Sequence, residues 1–203
     1  MIIFAPNKRI FMLQKFSIYI VIGIMMLVTS NCAQITKQKH FVTPPLEAKS
    51  RVNFYSRSKP YGEFSNFANF PISIEGKIWP TSEHYYQAKK FLDSETEEKV
   101  RLTLPPEDAA RLGRTLECRK DWNYVKIGYM WIALKAKYTQ HSRLKKLLLS
   151  TNIQTIHEHT KNDAFWGDGG NDKGKNVLGR MLMKLRDYIK KDNGKHPETY
   201  VWN

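Results

Sequence analysis

Cysteine is scarce in this chain, where Cys32 and Cys118 are the only two among 203 residues. If Cys32 is acylated, Cys118 has no partner in the chain. One free cysteine and scattered histidines predict no metal site. No cofactor is expected from the sequence either.

Acidic residues are missing from positions 1–46, which carry five lysines and arginines in a chain of net charge +14. The basic surplus over the rest of the chain fits an anionic partner such as phosphate, a nucleotide, nucleic acid or an acidic membrane surface, and it also fits simple solubility. The bases are scattered rather than clustered, which disfavours a protein that binds nucleic acid through charge alone. A hydrophobic content of 41% argues against a disordered chain.

A long apolar run is also missing. The uncharged stretch at 16–28 has thirteen residues, whereas a membrane span needs about 20. Lys8, Arg9 and Lys15 precede this stretch, and small or polar residues follow it. This pattern predicts a signal peptide over residues 1–32. Met12 is a second possible start.

Two cleavage sites fit the end of this segment. Cleavage before Cys32 would leave a cysteine for lipid attachment and give a bacterial lipoprotein, although Asn31 departs from the small residue that is usual there. Cleavage near Ser30 or Ala33 would release a soluble protein. We therefore expect an exported protein, periplasmic or anchored to the membrane through the signal or the lipid. If the segment is an uncleaved signal anchor, the protein is also held at the membrane, and if it is not a working signal, the protein is cytoplasmic.

The remaining chain is predicted to be a polar tether at 33–50, one folded domain at 51–192 and a poorly ordered tail at 193–203. Hydrophobic periodicity predicts a strand at 52–55, a hairpin at 70–79 that turns at Glu75-Gly76, and an ambiguous strand at 153–160. Helices are predicted at 82–93, from Ser94 onward, at 105–113, at 121–141, at 142–150 and at about 174–191. Gly113 is expected to end the third of these helices. The predicted class is α+β, a mainly helical single domain with a few antiparallel strands.

The stretch "AFWGDGGNDKGKNVLGR" at 164–180 is too polar for a core and too aromatic for a linker. It matches neither a P-loop nor a dinucleotide fingerprint. In it, Trp166 could stack on a base and Asp168 could bind a sugar or activate water. Gly167 and Gly169 would let the backbone approach a ligand. Residues that could hold an anion at the start of the last helix are Lys173, Lys175 and the N–H groups near Asn176. A plain turn is the alternative.

Three further stretches carry candidate chemistry. Asn66 and Phe67, in "FSNF", could read a ligand edge, or the loop could simply close the core. Glu83 is either a surface carboxylate at a helix N-terminus or a carboxylate held at the mouth of a pocket. Lys137 lies beside an apolar helix face, where it would either extend to water or be buried with a lowered pKa.

The motifs "FYSRSKPYGEFSNFANFPI", "GKIWPTSEHYYQAKKF", "ALKAKY", "HTKNDAFWGDGG" and "GKNVLGRMLM" closely resemble the NADAR family of YbiA-like N-glycosidases, over about 53–188. The resemblance implies a YbiA-like fold and hydrolysis of the bond between ribose and a nitrogen base. Family members act in the cytosol on ribosylaminopyrimidine phosphates of the riboflavin pathway, and related members remove ADP-ribose from guanine. A small phosphorylated nucleoside or an ADP-ribosyl compound is the implied substrate, including an ADP-ribosylated nucleic acid.

Matched to the family motifs, the "TSEH" glutamate is Glu83, the "WGDG" stretch is Trp166 to Gly169, and the "ALxAKF" lysine is Lys137, with tyrosine in place of the phenylalanine that follows. The resemblance predicts Glu83, Asp168 and Lys137 as catalytic residues. Lys137 would either bind phosphate or form a Schiff base with the opened sugar. The alternative function is a module that binds ADP-ribose without cleaving it, for which Glu83 is not needed.

Overall fold

The computed structural model describes residues 50–192. The predicted signal peptide with Cys32, the tether up to residue 49 and the tail at 193–203 lie outside the described residues. Within them are four short strands and six α-helices: β1 (Arg51–Phe54), β2 (Ile72–Ile74), β3 (Lys77–Trp79), α1 (Ser82–Ala88), α2 (Ser94–Leu102), α3 (Pro106–Thr115), α4 (Trp122–Gln140), α5 (Ser142–Ser150), β4 (Thr155–Glu158) and α6 (Val177–Asp192). The α+β class and the predominance of helices are confirmed. None of these helices is long and apolar enough to cross a membrane.

The strands form two separate pairs. β2 and β3 are an antiparallel hairpin, and its turn lies at Glu75 and Gly76 as predicted, both with positive φ. A turn with two positive φ values matches the twist of the flanking strands, and Gly76 adopts it without strain. β1 and β4 instead pair in parallel, with Phe54 opposite Glu158. The prediction of antiparallel strands is therefore wrong for this pair, because nearly the whole helical domain lies between its strands in sequence.

Helix α4 lies between two hydrophobic clusters. Its residues Met130, Trp131, Leu134 and Tyr138 belong to the larger cluster, together with β1, β4, α5 and α6. Its Ala133 belongs to the smaller cluster, with the hairpin and α1 to α3. Spacings of three and four residues put the four side chains of the larger cluster along one side of the helix.

Three helix boundaries differ from the prediction. Helix α1 ends at Ala88 rather than at residue 93, because Asp93 instead caps α2 by accepting a hydrogen bond from the Thr96 N–H. Gly113 does not end α3, which continues to Thr115. The missing side chain instead makes room for α1, since a Cβ on Gly113 would lie 2.4 Å from Gln87 Oε1. Helix α6 begins at Val177 rather than near residue 174. Asn176, just before it, has a φ of 46°, in the left-handed region that cannot continue a right-handed helix.

Candidate active site

Helix α1 is short and buried along its whole length. It follows the hairpin through Pro80, and the side chain of Thr81 caps it by accepting a hydrogen bond from the His84 N–H. A threonine cap fixes where such a helix begins and stabilises it by roughly 1 kcal/mol. The N–H of Glu83 donates to the carbonyl of Asn66 at 3.1 Å, which ties the first turn of α1 to the "FSNF" loop. The carboxyl group of Glu83 is thus set in place by two segments.

A cavity of about 230 Å³, here called the inner cavity, opens against this face of α1. Four of the residues singled out in the sequence line it together: Asn66, Phe67, Glu83 and Trp166. The other lining residues were not predicted: Tyr86, Gln87, Lys90, Arg114, Met130, Glu158 and Asp163. Tyr86, Gln87 and Lys90 lie three, four and seven positions after Glu83, so helical spacing from Glu83 was the signal that could have found them.

A second cavity, of about 680 Å³, shares a wall with the first and is here called the outer cavity. Phe67, Arg114, Glu158 and Asp163 line both cavities. The outer cavity also has Arg57 in its wall, which pairs with Glu107. Arg114 therefore lies in the wall that the two cavities share, and Arg57 lines the outer cavity alone. Ligand sites usually measure about 300–1,000 Å³, so the two cavities together have the dimensions of a site for a nucleotide-sized molecule.

Glu83 is not on the surface, because only 6% of it is exposed. Burial raises the pKa of its carboxyl group. The hydrogen bond from Gln87 Nε2 to Glu83 Oε1, at 2.6 Å, opposes that shift. The positive charges of Lys90 and Arg114 oppose it as well. A buried carboxylate with one donor and two cations nearby can take up and release a proton.

Two more carboxyl groups reach the cavity, one from the end of β4 and one from the segment that follows it. Asp163 accepts hydrogen bonds from the N–H groups of Phe165 and Trp166, both at 2.7 Å, in a local turn that sets the Trp166 ring in place. Glu158 is the last residue of β4. Burial and the nearby carboxylates raise the pKa of Glu158 to about 8. An isolated glutamate in a segment that reads only as an ambiguous strand gave no sequence signal for this position.

Aromatic rings form another wall of the inner cavity. Trp166 stands edge-on to Tyr86, with 5.4 Å between ring centroids. Tyr86 in turn packs against Trp122. Lys90 lies over the Tyr86 and Trp122 rings and donates to the carbonyl of Gly113 at 2.9 Å. The side chains that face the cavity are thus held by contacts behind them, which gives a ligand rigid surfaces to bind.

The start of α6 does not offer free N–H groups to an anion. The N–H groups of residues 175–178 donate to carbonyls of residues 164–167, at 2.7–3.1 Å. The side chain of Asn176 is also used, because it accepts from the Glu158 N–H and donates to the Ile156 carbonyl. Five residues predicted to hold phosphate or to let the backbone approach a ligand do not line either cavity: Gly167, Gly169, Lys173, Lys175 and Asn176. Their contacts fold the loop onto β4 instead.

Asp168 also lies away from both cavities. It is 1% exposed, and its carboxylate pairs with Arg51 at 2.6 Å and with His159 at 2.8 Å while accepting from the Gly170 N–H. Burial acts to raise the pKa of Asp168, but the hydrogen bonds from His159 and from the Gly170 N–H outweigh it, and the pKa is lowered. The structure thus places Asp168 inside the loop, outside the lining of both cavities, and its catalytic role stays a prediction.

One group of side chains among the described residues lies at metal-ligand spacing, although the sequence predicted none. His157, Asp168 and Asp172 offer atoms within 4.8 Å of one another. Arg51 pairs with both carboxylates, so its guanidinium already supplies the positive charge. We assign no metal to this group.

Lys137 is buried completely, with 0% exposure, and does not extend to water. Its ammonium group donates to the carbonyl of Ser65 at 2.7 Å. Burial lowers the pKa of Lys137 to about 7. Neither cavity has Lys137 in its lining. The structure therefore places Lys137 against the "FSNF" loop, which it supports, and outside the lining of both cavities. The Schiff base and the phosphate contact stay predictions.

Comparison with known proteins shows what the chain is similar to. The N-glycosidase YbiA of Escherichia coli K12 is 54% identical over 140 residues, which are 68% of this chain and 88% of that protein. A riboflavin biosynthesis protein of Vibrio vulnificus is 40% identical over 162 residues, 74% of this chain and 43% of the relative. An NMR structure of E. coli YbiA matches with a TM-score of 0.67 and 49% identity, covering 75% of this chain and 92% of that one. The family model described as the NADAR domain matches residues 53–190, and the chain belongs to this family.

Proposed function

We propose that the protein hydrolyses the bond between C1′ of ribose and a nitrogen base in a phosphorylated ribosyl compound. The observation that carries the proposal is the buried Glu83 carboxylate on the wall of an aromatic-lined cavity that continues into a larger one with arginines. The chain is an enzyme that hydrolyses N-glycosyl compounds, because it belongs to this family and relatives at 54% identity are named N-glycosidases.

The chemistry follows from the charge that the reaction creates. Breaking the C1′–N bond builds positive charge on the ribose, as in other glycoside hydrolyses. A carboxylate beside C1′ stabilises that charge and can take a proton from the attacking water. Glu83 suits this role because Gln87, Lys90 and Arg114 oppose the effect of burial on its pKa. We assign water activation to Glu83.

The two cavities divide the substrate between them. The inner cavity accepts the base against Trp166, where stacking stabilises a bound base by roughly 1–3 kcal/mol. The outer cavity accepts the phosphate-bearing part near Arg114, which makes no ion pair or hydrogen bond with another described residue. Arginine suits this role because its planar donors match phosphate oxygens. We therefore propose Arg114 as the phosphate-binding residue, in place of the anion site expected at the start of α6.

For the base itself, the relatives named for riboflavin biosynthesis in Vibrio vulnificus and Zea mays favour ribosylaminopyrimidine phosphates. ADP-ribosylated guanine is the other substrate that we propose to test. Both contain a ribosyl nitrogen and at least one phosphate, so both meet the requirements of the two cavities.

The test is release of base by the full chain and by Glu83→Gln. Ribosylaminopyrimidine phosphates, ADP-ribosylated guanosine and NAD are each incubated with the protein, and released base is measured by mass. We expect release by the wild type and a loss of about 10²–10⁴-fold in kcat for the variant. Glu95→Gln, on the exposed first turn of α2, is the matched control.

Two outcomes would contradict the proposal. Full activity of Glu83→Gln would leave Glu83 a structural carboxylate. Tight binding of ADP-ribose with no release of base from any substrate would instead favour the alternative function, a module that recognises the nucleotide without cleaving it.

A further inference from the structure

We propose that Glu158 is the proton donor to the departing nitrogen. The assignment rests on the proposed glycosidase activity and adds a catalytic residue to it. A base that leaves as an anion leaves slowly, and a positioned acid removes that barrier by protonating the nitrogen as the bond breaks. The site therefore needs a carboxyl group that keeps its proton, in addition to the carboxylate that activates water.

Glu158 is fixed through its main chain while its side chain is free. Its N–H donates to Asn176 Oδ1 at 3.0 Å, and its carbonyl accepts from the Asp168 N–H at 2.9 Å. Its carboxyl group makes no hydrogen bond or ion pair with any residue between 50 and 192. It lines the inner and the outer cavity, so it lies where the base and the phosphate-bearing part of a ligand would meet.

The other two carboxyl groups of the inner cavity already accept hydrogen bonds. Glu83 accepts the hydrogen bond from Gln87, and Asp163 accepts two backbone N–H groups. Hydrogen bonds to a carboxylate stabilise its charged form, and a second charge nearby makes the unbonded group retain its proton. Glu158 is the carboxyl group of this cavity that accepts no hydrogen bond from a described residue, which suits it to hold a proton.

The surroundings of Glu158 agree with this assignment. Burial comes first among the causes that raise its pKa to about 8, followed by the nearby carboxylates of Asp163, Glu83 and Asp168. The cations that share a cavity wall with it are Lys90, Arg57 and Arg114, and Arg57 is already paired with Glu107. Arg114 is the arginine that has no carboxylate partner within residues 50–192, and a bound phosphate would offset its charge.

The step balances as an ordinary hydrolysis. The C1′–N bond breaks with its electron pair going to nitrogen, which receives the proton of Glu158. The oxygen of water bonds to C1′, and one water proton passes to Glu83 while the other stays on the new hydroxyl group. Glu158 ends as the carboxylate and Glu83 as the acid, and exchange with solvent restores both groups. No oxidant, reductant or metal is needed.

The test uses two probes whose leaving groups differ in their need for a proton. A ribosylaminopyrimidine 5′-phosphate must be protonated as its base departs. Nicotinamide mononucleotide carries a pyridinium nitrogen, so its base leaves neutral without a proton. Glu158→Gln in the full chain is expected to slow release from the first probe by about 10²–10⁴-fold and release from the second by less than about tenfold.

The pH profile gives a second readout that a merely structural role would not move. With the aminopyrimidine probe, kcat/KM of the wild type should fall as pH rises through about 8, because the acid loses its proton, and Glu158→Gln should lack this basic limb. Glu95→Gln is the control, and thermal unfolding checks that the variant folds. An unchanged basic limb, or an equal loss on both probes, would overturn the assignment. No release by the wild type from any substrate would overturn the proposed function itself.

Discussion

At the scale of single residues, the environment of a side chain decided its role more than its type did. Glu83 and Asp168 are both buried acids in recognisable motifs. Glu83 faces a cavity, whereas Asp168 is fully engaged by Arg51, His159 and backbone N–H groups. A sequence predicts that a carboxylate is present, but it does not show how many donors the fold aims at it. That is why Glu83 lies in the candidate site and Asp168 does not.

Lys137 gives a prediction about stability. Its pKa is lowered to about 7 in the folded protein, against about 10.4 in an unfolded chain. Between these values the unfolded state binds more protons than the native state, so this group makes stability rise with pH from about 7 to about 10. Lys137→Met keeps the volume and removes the titration. We expect the free energy of unfolding of the wild type, relative to that of the variant, to rise by about a few kcal/mol between pH 7 and pH 10.

Urea denaturation of both proteins at pH 6, 8 and 10 measures this difference. Lys135→Met on the same helix is the control, since Lys135 is only half-buried and no hydrogen bond or ion pair holds its ammonium group among the described residues. A difference between wild type and Lys137→Met that stays constant from pH 6 to pH 10 would show that the lysine titrates normally.

At the scale of elements, the segment between β4 and α6 has a different task from the one its composition suggests. Glycines, bases and a helix start are typical of an anion-binding loop. Here the carbonyls of 164–167 take up the N–H groups of 175–178, so the loop folds on itself and onto β4. Which N–H groups remain free is a property of tertiary hydrogen bonding, and residue types alone do not reveal it. The same segment does deliver Trp166 and Asp163 to the inner cavity.

Local signals were enough where a structure depends on neighbours in sequence. The Glu75-Gly76 turn, the hairpin around it and the start of α2 at Ser94 follow from such signals. The parallel pairing of β1 with β4 depends on residues about 100 positions apart, and no local pattern carries that information. Glu158 owes its place in the site to this pairing, which is why the sequence did not reveal it.

Gly167 gives a prediction for the whole segment. A Cβ at this position would lie 2.7 Å from Thr160 Cγ2 and 2.8 Å from the carbonyl oxygens of Asp163 and Glu158. Two of these three atoms are backbone, so the loop would have to move away from β4. We expect Gly167→Ala to destabilise the protein by about 1–3 kcal/mol and to lower kcat/KM, because Trp166 and Glu158 would shift relative to each other.

Thermal unfolding and base-release kinetics of Gly167→Ala test this together. The matched control is Gly128→Ala on α4, where a Cβ would meet nothing within 4 Å and alanine favours the helix. Equal stability and activity of Gly167→Ala and the wild type would show that the loop does not depend on this close approach.

At the scale of the whole molecule, the N-terminal segment and the proposed activity suggest different compartments. Residues 1–32 carry the pattern of a signal peptide, whereas the family resemblance implies a substrate that is made inside the cell. The catalytic domain does not decide between them, because its cavities would bind a phosphorylated ribosyl compound in either place. We propose that the segment exports the protein and that its substrate lies outside the cytoplasm.

Export gives the last prediction. The apolar stretch of thirteen residues is too short to remain as a membrane span, which needs about 20. We therefore expect the full chain, expressed in Escherichia coli, to lose its first 31 residues and to incorporate labelled palmitate at Cys32. A single acyl chain binds membranes only marginally, so retention at the membrane requires the additional chains of a lipoprotein anchor.

The Cys32→Ala variant should incorporate no label, and Cys118→Ala is the matched control that should keep it. Mature protein without label would place cleavage near Ser30 or Ala33, whereas full-length protein in the cytosol would contradict export and make a cytosolic riboflavin precursor the natural substrate.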